Sequence, residues 1–430
     1  MRTRCALTTS FVFTMLAAIC AGAGWAALRG HGGPVRALAI SSDGVLAVTG
    51  SFDSSAILWN LANDAAIQVL RHHDSAVNAV AILPDGRLVT AGEDARIALW
   101  RLGATQPLRT LSGHTAPISG VAVAPDGKSI ATSSWDRTVR LSSLETEETR
   151  VLTGHADNVN AVAFSSDGKT LISGGYDATI RIWPLSGGAP TIRQQPAPVN
   201  ALVVAPDGDI VAAFADGRVR MFDATGGQRS EIEIASAPLV ALALSPDGAT
   251  IAAAGLRGAV ALFNRRNPAA MTTLVGPALP VWALAFAPDG RTLLAAGSDR
   301  LVRRWDAQTG ETRDGVASSG TDDILKANAD DPGAEIFKAC VACHTLTKDD
   351  GNRAGPTLHG LFGRRIATAP GYRYSDALSK MDIVWTAETV AKLFEVGPNA
   401  YTPGTKMPEQ TLSNPVDRQA LVKFLARVAR

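Results

Sequence analysis

Short stretches of alternating apolar and polar residues recur from Trp25 to Val316, each ending at a turn signal. Val121-Ala122-Val123 and Val162-Ala163-Phe164 are examples. The signal itself repeats: Ser42-Asp43-Gly44, Pro84-Asp85-Gly86, Pro125-Asp126-Gly127, Ser166-Asp167-Gly168, Pro206-Asp207-Gly208, Pro246-Asp247-Gly248 and Pro288-Asp289-Gly290. Its Asp residues are spaced by 42, 41, 41, 40, 40 and 42 positions. A second apolar stretch follows each turn and ends at Trp59, Trp100, Leu141, Trp183, Phe222, Phe263 or Trp305. Alternation at period two predicts half-buried strands. Asp-Gly predicts tight hairpins between them, because glycine takes a positive φ at little cost. Past residue 331 the period becomes helical. One helix is predicted to start near Pro332, since proline suits a first helical turn. A second is predicted over Thr386 to Glu395. A third, Pro415 to Val428, has Leu421, Val422, Phe424 and Leu425 at helical spacing. Between the two regimes, the small polar run Ala317 to Asp323 reads as part of a linker spanning 317–331.

Seven repeats of about 40 to 45 residues predict a seven-bladed β-propeller of four-stranded blades. The repeats resemble the WD40 family over Trp25 to Val316. Four of them open with Gly30-His31, His72-His73, Gly113-His114 and Gly154-His155. Asp53, Asp94, Asp136, Asp177, Asp216 and Asp299 stand at the turn before the third strand, where the sixth repeat has Arg257. The resemblance implies that these histidines and aspartates form hydrogen-bond networks inside the blades, a structural role rather than a metal-binding one. Two segments are candidates for closing the ring, Trp25 to Leu28 and Glu311 to Val316.

The length, 430 residues, calls for two or more domains. A formal net charge of +1 argues against a nucleic-acid binder. Arg2 and Arg4, the apolar run Phe11 to Ile19 and Ala21-Gly22-Ala23 form the pattern of a cleaved export signal over 1–23. The run is shorter than the roughly 20 apolar residues that a membrane span needs, although an uncleaved anchor stays open as an alternative. Bulky Ile19 before Cys20 speaks against lipidation. The expected location is periplasmic or otherwise exported.

Four cysteines occur, and a cleaved chain keeps only Cys340 and Cys343. They lie in Cys340-Val341-Ala342-Cys343-His344, a C-x-x-C-H motif of the kind that attaches c-type haem. Each cysteine is expected to form a thioether, with His344 on one side of the iron. Met407, in Pro403-Gly404-Thr405-Lys406-Met407, is the candidate for the other side; His/Met ligation raises the potential of cytochromes c.

The region 332–430 resembles class I cytochrome c, of the mitochondrial and bacterial c2 type. The shared motifs run in order: Gly355-Pro356-Thr357-Leu358-His359-Gly360-Leu361-Phe362-Gly363-Arg364, Ala369-Pro370-Gly371-Tyr372-Arg373-Tyr374-Ser375-Asp376-Ala377, Trp385, and Tyr401 to Met407. The resemblance implies an all-α domain holding one haem c through Cys340 and Cys343, with His344 and Met407 as iron ligands. It implies that the Pro356 carbonyl orients His344. It places Arg364, Tyr374 and Trp385 on a buried propionate and Thr405 near the second, and makes Leu358, Leu393 and Phe394 pocket walls. His359 is implied to be structural. Leu393 stands where many relatives have a tyrosine, and Asn399 and Ala400 replace rim lysines. Thr321 to Arg430 holds 14 Lys+Arg and 13 Asp+Glu, so charge steering of partners is weak.

The expected protein is therefore multidomain: an all-β seven-bladed propeller, 24–316, followed by a class I cytochrome c domain. It is read as an exported single-haem electron carrier rather than an enzyme. Redox partner proteins would dock on the haem edge and the propeller. Two alternatives stay open: a haem sensor or peroxidase with labile Met407, and an electron-transfer subunit of a propeller-containing periplasmic oxidoreductase.

Overall fold

The computed structural model describes residues 27–430 apart from positions 147, 275–278, 314–319, 342, 349, 351, 354, 373, 406, 408 and 409. The expected export signal, 1–23, lies outside the described residues. Among the described residues no helix is long and apolar enough to cross a membrane.

The alternating stretches form seven four-stranded antiparallel sheets. In the first, Val35–Ile40, Leu46–Ser51, Ser55–Asn60 and Ala65–Arg71 pair in chain order. Innermost strands of successive sheets pack side by side, and Val35–Ile40 also packs on Val281–Phe286 of the last sheet, so the ring is closed. Closure uses the N-terminal candidate: Leu28 pairs with Val302 and Arg29 with Leu301. The other candidate shares that edge further along, where Thr312 bridges Trp305. The seven Asp-Gly turns carry their glycine at φ between 64° and 89°, the region open to glycine at no steric cost.

Four blades contain the implied network. His31 Nδ1 lies 3.0 Å from Asp53 and Nε2 2.7 Å from Thr49 Oγ1, which also accepts from Trp59 Nε1 at 2.8 Å. The same arrangement joins His73, Asp94, Thr90 and Trp100, and His155, Asp177, Ser173 and Trp183. His114 makes it with Asp136 and Thr132, where Leu141 replaces the tryptophan. Burial makes these bonds necessary, because an unpartnered polar group there costs about 1–3 kcal/mol. His72, outside the network, lies 3.2 Å from Thr110 Oγ1, with its ring edge-on to Trp100.

The C-terminal region holds six helices among the described residues: α1 Gly320–Ala327, α2 Pro332–Phe337, α3 Asp376–Ser379, α4 Ala387–Val396, α5 Pro398–Tyr401 and α6 Pro415–Val428. Pro332 opens α2 behind an Asp331 cap, and Thr386 caps α4. Helix α1 occupies part of the span read as linker. Its N-terminal amides are bonded by a distant residue: Asp350 accepts from Gly320 N at 3.1 Å and Thr321 N at 2.8 Å. Helices α2 and α6 cross where Gly333 leaves room for Ala420 and Phe424, and the Phe337 and Phe424 rings meet at 5.9 Å.

Candidate haem site

The residues after α2 turn Cys340, Cys343 and His344 inward. His344 N and Cys343 N both donate to the Cys340 carbonyl, winding the motif into a tight turn. All three side chains line one apolar cavity of about 370 Å³, within the range of ~300–1,000 Å³ common for cofactor sites. Met407, Thr405, Leu358, Leu393, Phe394, Arg364, Tyr374 and Trp385 line it too. Every implied ligand and wall thus faces one space.

His344 Nδ1 lies 2.8 Å from the Pro356 carbonyl oxygen. A carbonyl can only accept, so Nδ1 carries the proton and Nε2 is left with its lone pair. That is the tautomer a metal ligand needs. Burial pushes the His344 pKa down, which favours the neutral ring. Gly355 lies against the imidazole so closely that a Cβ there would overlap it. Neither cysteine is in a disulfide. Burial pushes Cys340 up to about 12 and Cys343 up to about 11, so both sulfurs are neutral thiols in an apolar wall.

The implied propionate partners are already held. Arg364 donates to the carbonyls of His359 at 2.9 Å and Thr357 at 2.8 Å. Burial, opposed by the Arg364 charge, pushes the Tyr374 phenol up to about 12. Trp385 is tied through its backbone amide to the Arg364 carbonyl at 2.9 Å. Thr405 Oγ1 accepts from Met407 N at 3.1 Å, and Ser375 Oγ donates to the Gly404 carbonyl at 2.9 Å, fixing the methionine loop. His359 does not line the cavity. The neutral sulfurs, the oriented imidazole, the thioether of Met407 and the apolar walls fit a haem c. Cys340 and Cys343 would hold it, and His344 and Met407 would face its iron.

One part of the cavity wall comes from the propeller. Gly32, Phe52, Asp53, Ser54 and Arg71 of the first blade line it beside Cys343. No sequence signal marked these residues as cavity lining, Asp53 being read only as a turn residue of its blade, because their cavity partners lie some 300 positions away.

A WD40 family model, described as WD domain, G-beta repeat, matches residues 25–60, 65–101, 105–141, 146–184, 190–223 and 270–306, together about half of the chain. A cytochrome c family model matches residues 331–429. The chain belongs to the WD40-repeat family and carries a cytochrome c domain behind its propeller. That domain is similar to the cytochrome c of Cochliobolus lunatus, 46% identical over 94 residues that make up 22% of this chain and 86% of the relative. It is 46% identical over 94 residues to the cytochrome c of Arabidopsis thaliana, 22% of this chain and 83% of the relative. It is 36% identical over 106 residues to that of Kluyveromyces lactis, 24% of this chain and 96% of the relative. The blade with strands from Leu239–Leu244 to Asn267–Leu274 is the one whose turn has Arg257, and most of it lies outside the matched repeats.

Proposed function

We propose that this protein is an exported single-haem electron carrier whose propeller is a docking scaffold. The observation that carries the reading is the convergence of Cys340, Cys343, His344 and Met407 on one apolar cavity, with His344 already oriented by Pro356. Haem c, when bound, supplies a one-electron ferric–ferrous couple. His344 presents Nε2, and Met407 presents its sulfur from the loop fixed by Thr405 and Ser375. The apolar walls exclude water, which favours the less charged ferrous state. His344 and Met407 would both be engaged by the iron, so the chain would leave no position there for a substrate. Export rests on the n-region, apolar run and small-residue cleavage pattern of 1–23.

The scaffold role is supported by a ring of exposed side chains on the propeller. Phe52, Trp135, Tyr176 and Leu256 stand at equivalent positions of four blades, each one residue before the turn position, and are 40%, 43%, 43% and 45% exposed. Large apolar side chains left exposed at a repeated position of the blades are the kind that protein-binding surfaces use. Phe52 also borders the haem cavity, so a partner on this face sits beside the redox centre.

The test is the visible spectrum of protein matured with haem, oxidised and reduced, with and without carbon monoxide. A six-coordinate low-spin spectrum with a Met–iron band, unchanged by carbon monoxide, is expected. A rapid carbon monoxide shift overturns the carrier reading. Failure to attach haem under conditions that mature a control cytochrome overturns the haem reading itself. Mass analysis of the exported form is expected to show loss of 1–23.

A further inference from the structure

The first propeller blade approaches the haem cavity more closely than tethering requires. A Cβ on Gly32 would lie 2.5 Å from Cys343 Sγ, so blade backbone is in contact with one attachment sulfur. Arg71 ends the outer strand Ala65–Arg71 at the same corner, paired with Ser55. Its guanidinium carbon lies 5.5 Å from the centroid of the Tyr372 ring. Tyr372 in turn stacks edge-on with Tyr374 at 4.9 Å.

Two arginines line the cavity, and their hydrogen bonding differs. Arg364 has two carbonyl acceptors. Arg71 is hydrogen-bonded to the Tyr372 side chain, but its Nε is buried and has no acceptor among the described residues. A buried N–H of a cation without an acceptor is costly, and a carboxylate is the acceptor that matches a guanidinium best. Asp53, the acid in the cavity lining, is already engaged by His31, Gly32 N, and Ser55. The group expected in this cavity brings two carboxylates of its own.

We propose that Arg71 is a haem-pocket residue supplied by the propeller: it pairs with a haem carboxylate and raises the reduction potential. This rests on the haem reading above. A cation beside the haem disfavours the ferric state, which has one more positive charge than the ferrous state. The propeller is then part of the redox centre, and separating it from the haem domain changes the potential. Arg71 acts as a positioning residue, through charge and pairing, with no contact to the iron.

The experiment is redox titration of the full-length haem-loaded protein and its Arg71→Gln, Arg71→Lys and Arg229→Gln variants. Arg229 lies on the outer strand of the fifth blade, paired with Asp209, and serves as a control. Arg71→Gln is expected to shift the equilibrium toward the ferric state about threefold to tenfold, about 30–60 mV lower for one electron. Arg71→Lys keeps the charge and is expected to recover part of the shift; Arg229→Gln is expected to leave the potential alone. All spectra keep the Met-ligated form. Equal potentials for wild type and both Arg71 variants overturn the proposal. If the variants do not fold, hydrogen exchange of the wild-type chain decides. Amides of 52–55 and 71 are expected to exchange more slowly with haem bound than in the haem-free Cys340→Ser/Cys343→Ser chain, and equal exchange overturns the proposal. A wild-type chain that takes up no haem instead overturns the haem reading, so the two failures are distinct.

Discussion

The imidazole of His344 fills the space that a Cβ on Gly355 would occupy. The glycine thus sets the plane of the ring while Pro356 sets its tautomer. Replacing Gly355 by Ala is expected to tilt the ring and to cost about 1–3 kcal/mol, the usual penalty of overpacking. Haem content per chain and thermal unfolding are the measurements; an unchanged spectrum with unchanged stability would count against this contact.

Ser173 serves His155 and Trp183 at once, at 2.8 Å and 2.9 Å. Ser173→Ala leaves both buried nitrogens without that oxygen. A loss of about 1–3 kcal/mol is expected in urea unfolding, with no change in the haem spectrum, because the fourth blade does not line the cavity.

Asp331 caps α2 and accepts from Arg427 of α6. The Arg427 hydrogen bond, with the Gly333 and Ala334 amides, holds its pKa below the usual carboxylate value. A depressed folded pKa gives stability that is complete above the unfolded value of about 3.9 and is lost as pH falls through the folded one. Unfolding of the haem domain is therefore expected to steepen below about pH 4. Asp331→Asn is expected to flatten that dependence, and an identical pH profile for the variant would refute the link.

Arg29 and Asp322 form an ion pair between propeller and α1 at 3.0 Å, with side chains 39% and 23% exposed. Solvent screening limits such pairs to about 0–1 kcal/mol. Arg29→Ala is expected to lower stability by no more than that and to leave the two domains in contact, as read by limited proteolysis at the linker. Rapid cleavage in the variant would show that the pair carries the interface.

The seven blades and the helices α2, α4 and α6 were legible because their causes are local: alternation, Asp-Gly turns, and a proline or threonine at a helix start. The cavity-facing set of the cytochrome domain was legible through family motifs. Thr49, Thr90, Thr132 and Ser173 were missed as network members, although each stands 17 or 18 residues after its histidine. Helix α1 was missed for a different reason. Its polar start looks like a linker, and its amides are satisfied by Asp350, about 30 residues away. The propeller side of the haem cavity has no local cause at all, since only the packing of the cytochrome domain on the first blade brings Gly32 and Arg71 to Cys343.

The short strand Leu28–Arg29 closes the ring, and the next few residues reach the cytochrome domain through Arg29 and Gly32. Peeling this strand from Leu301 and Val302 would withdraw the Arg29 contact, while Gly32 stays held by Asp53 of the first blade. One short stretch of chain, residues 28–32, is therefore both the clasp of the ring and a hinge plate for the domain behind it.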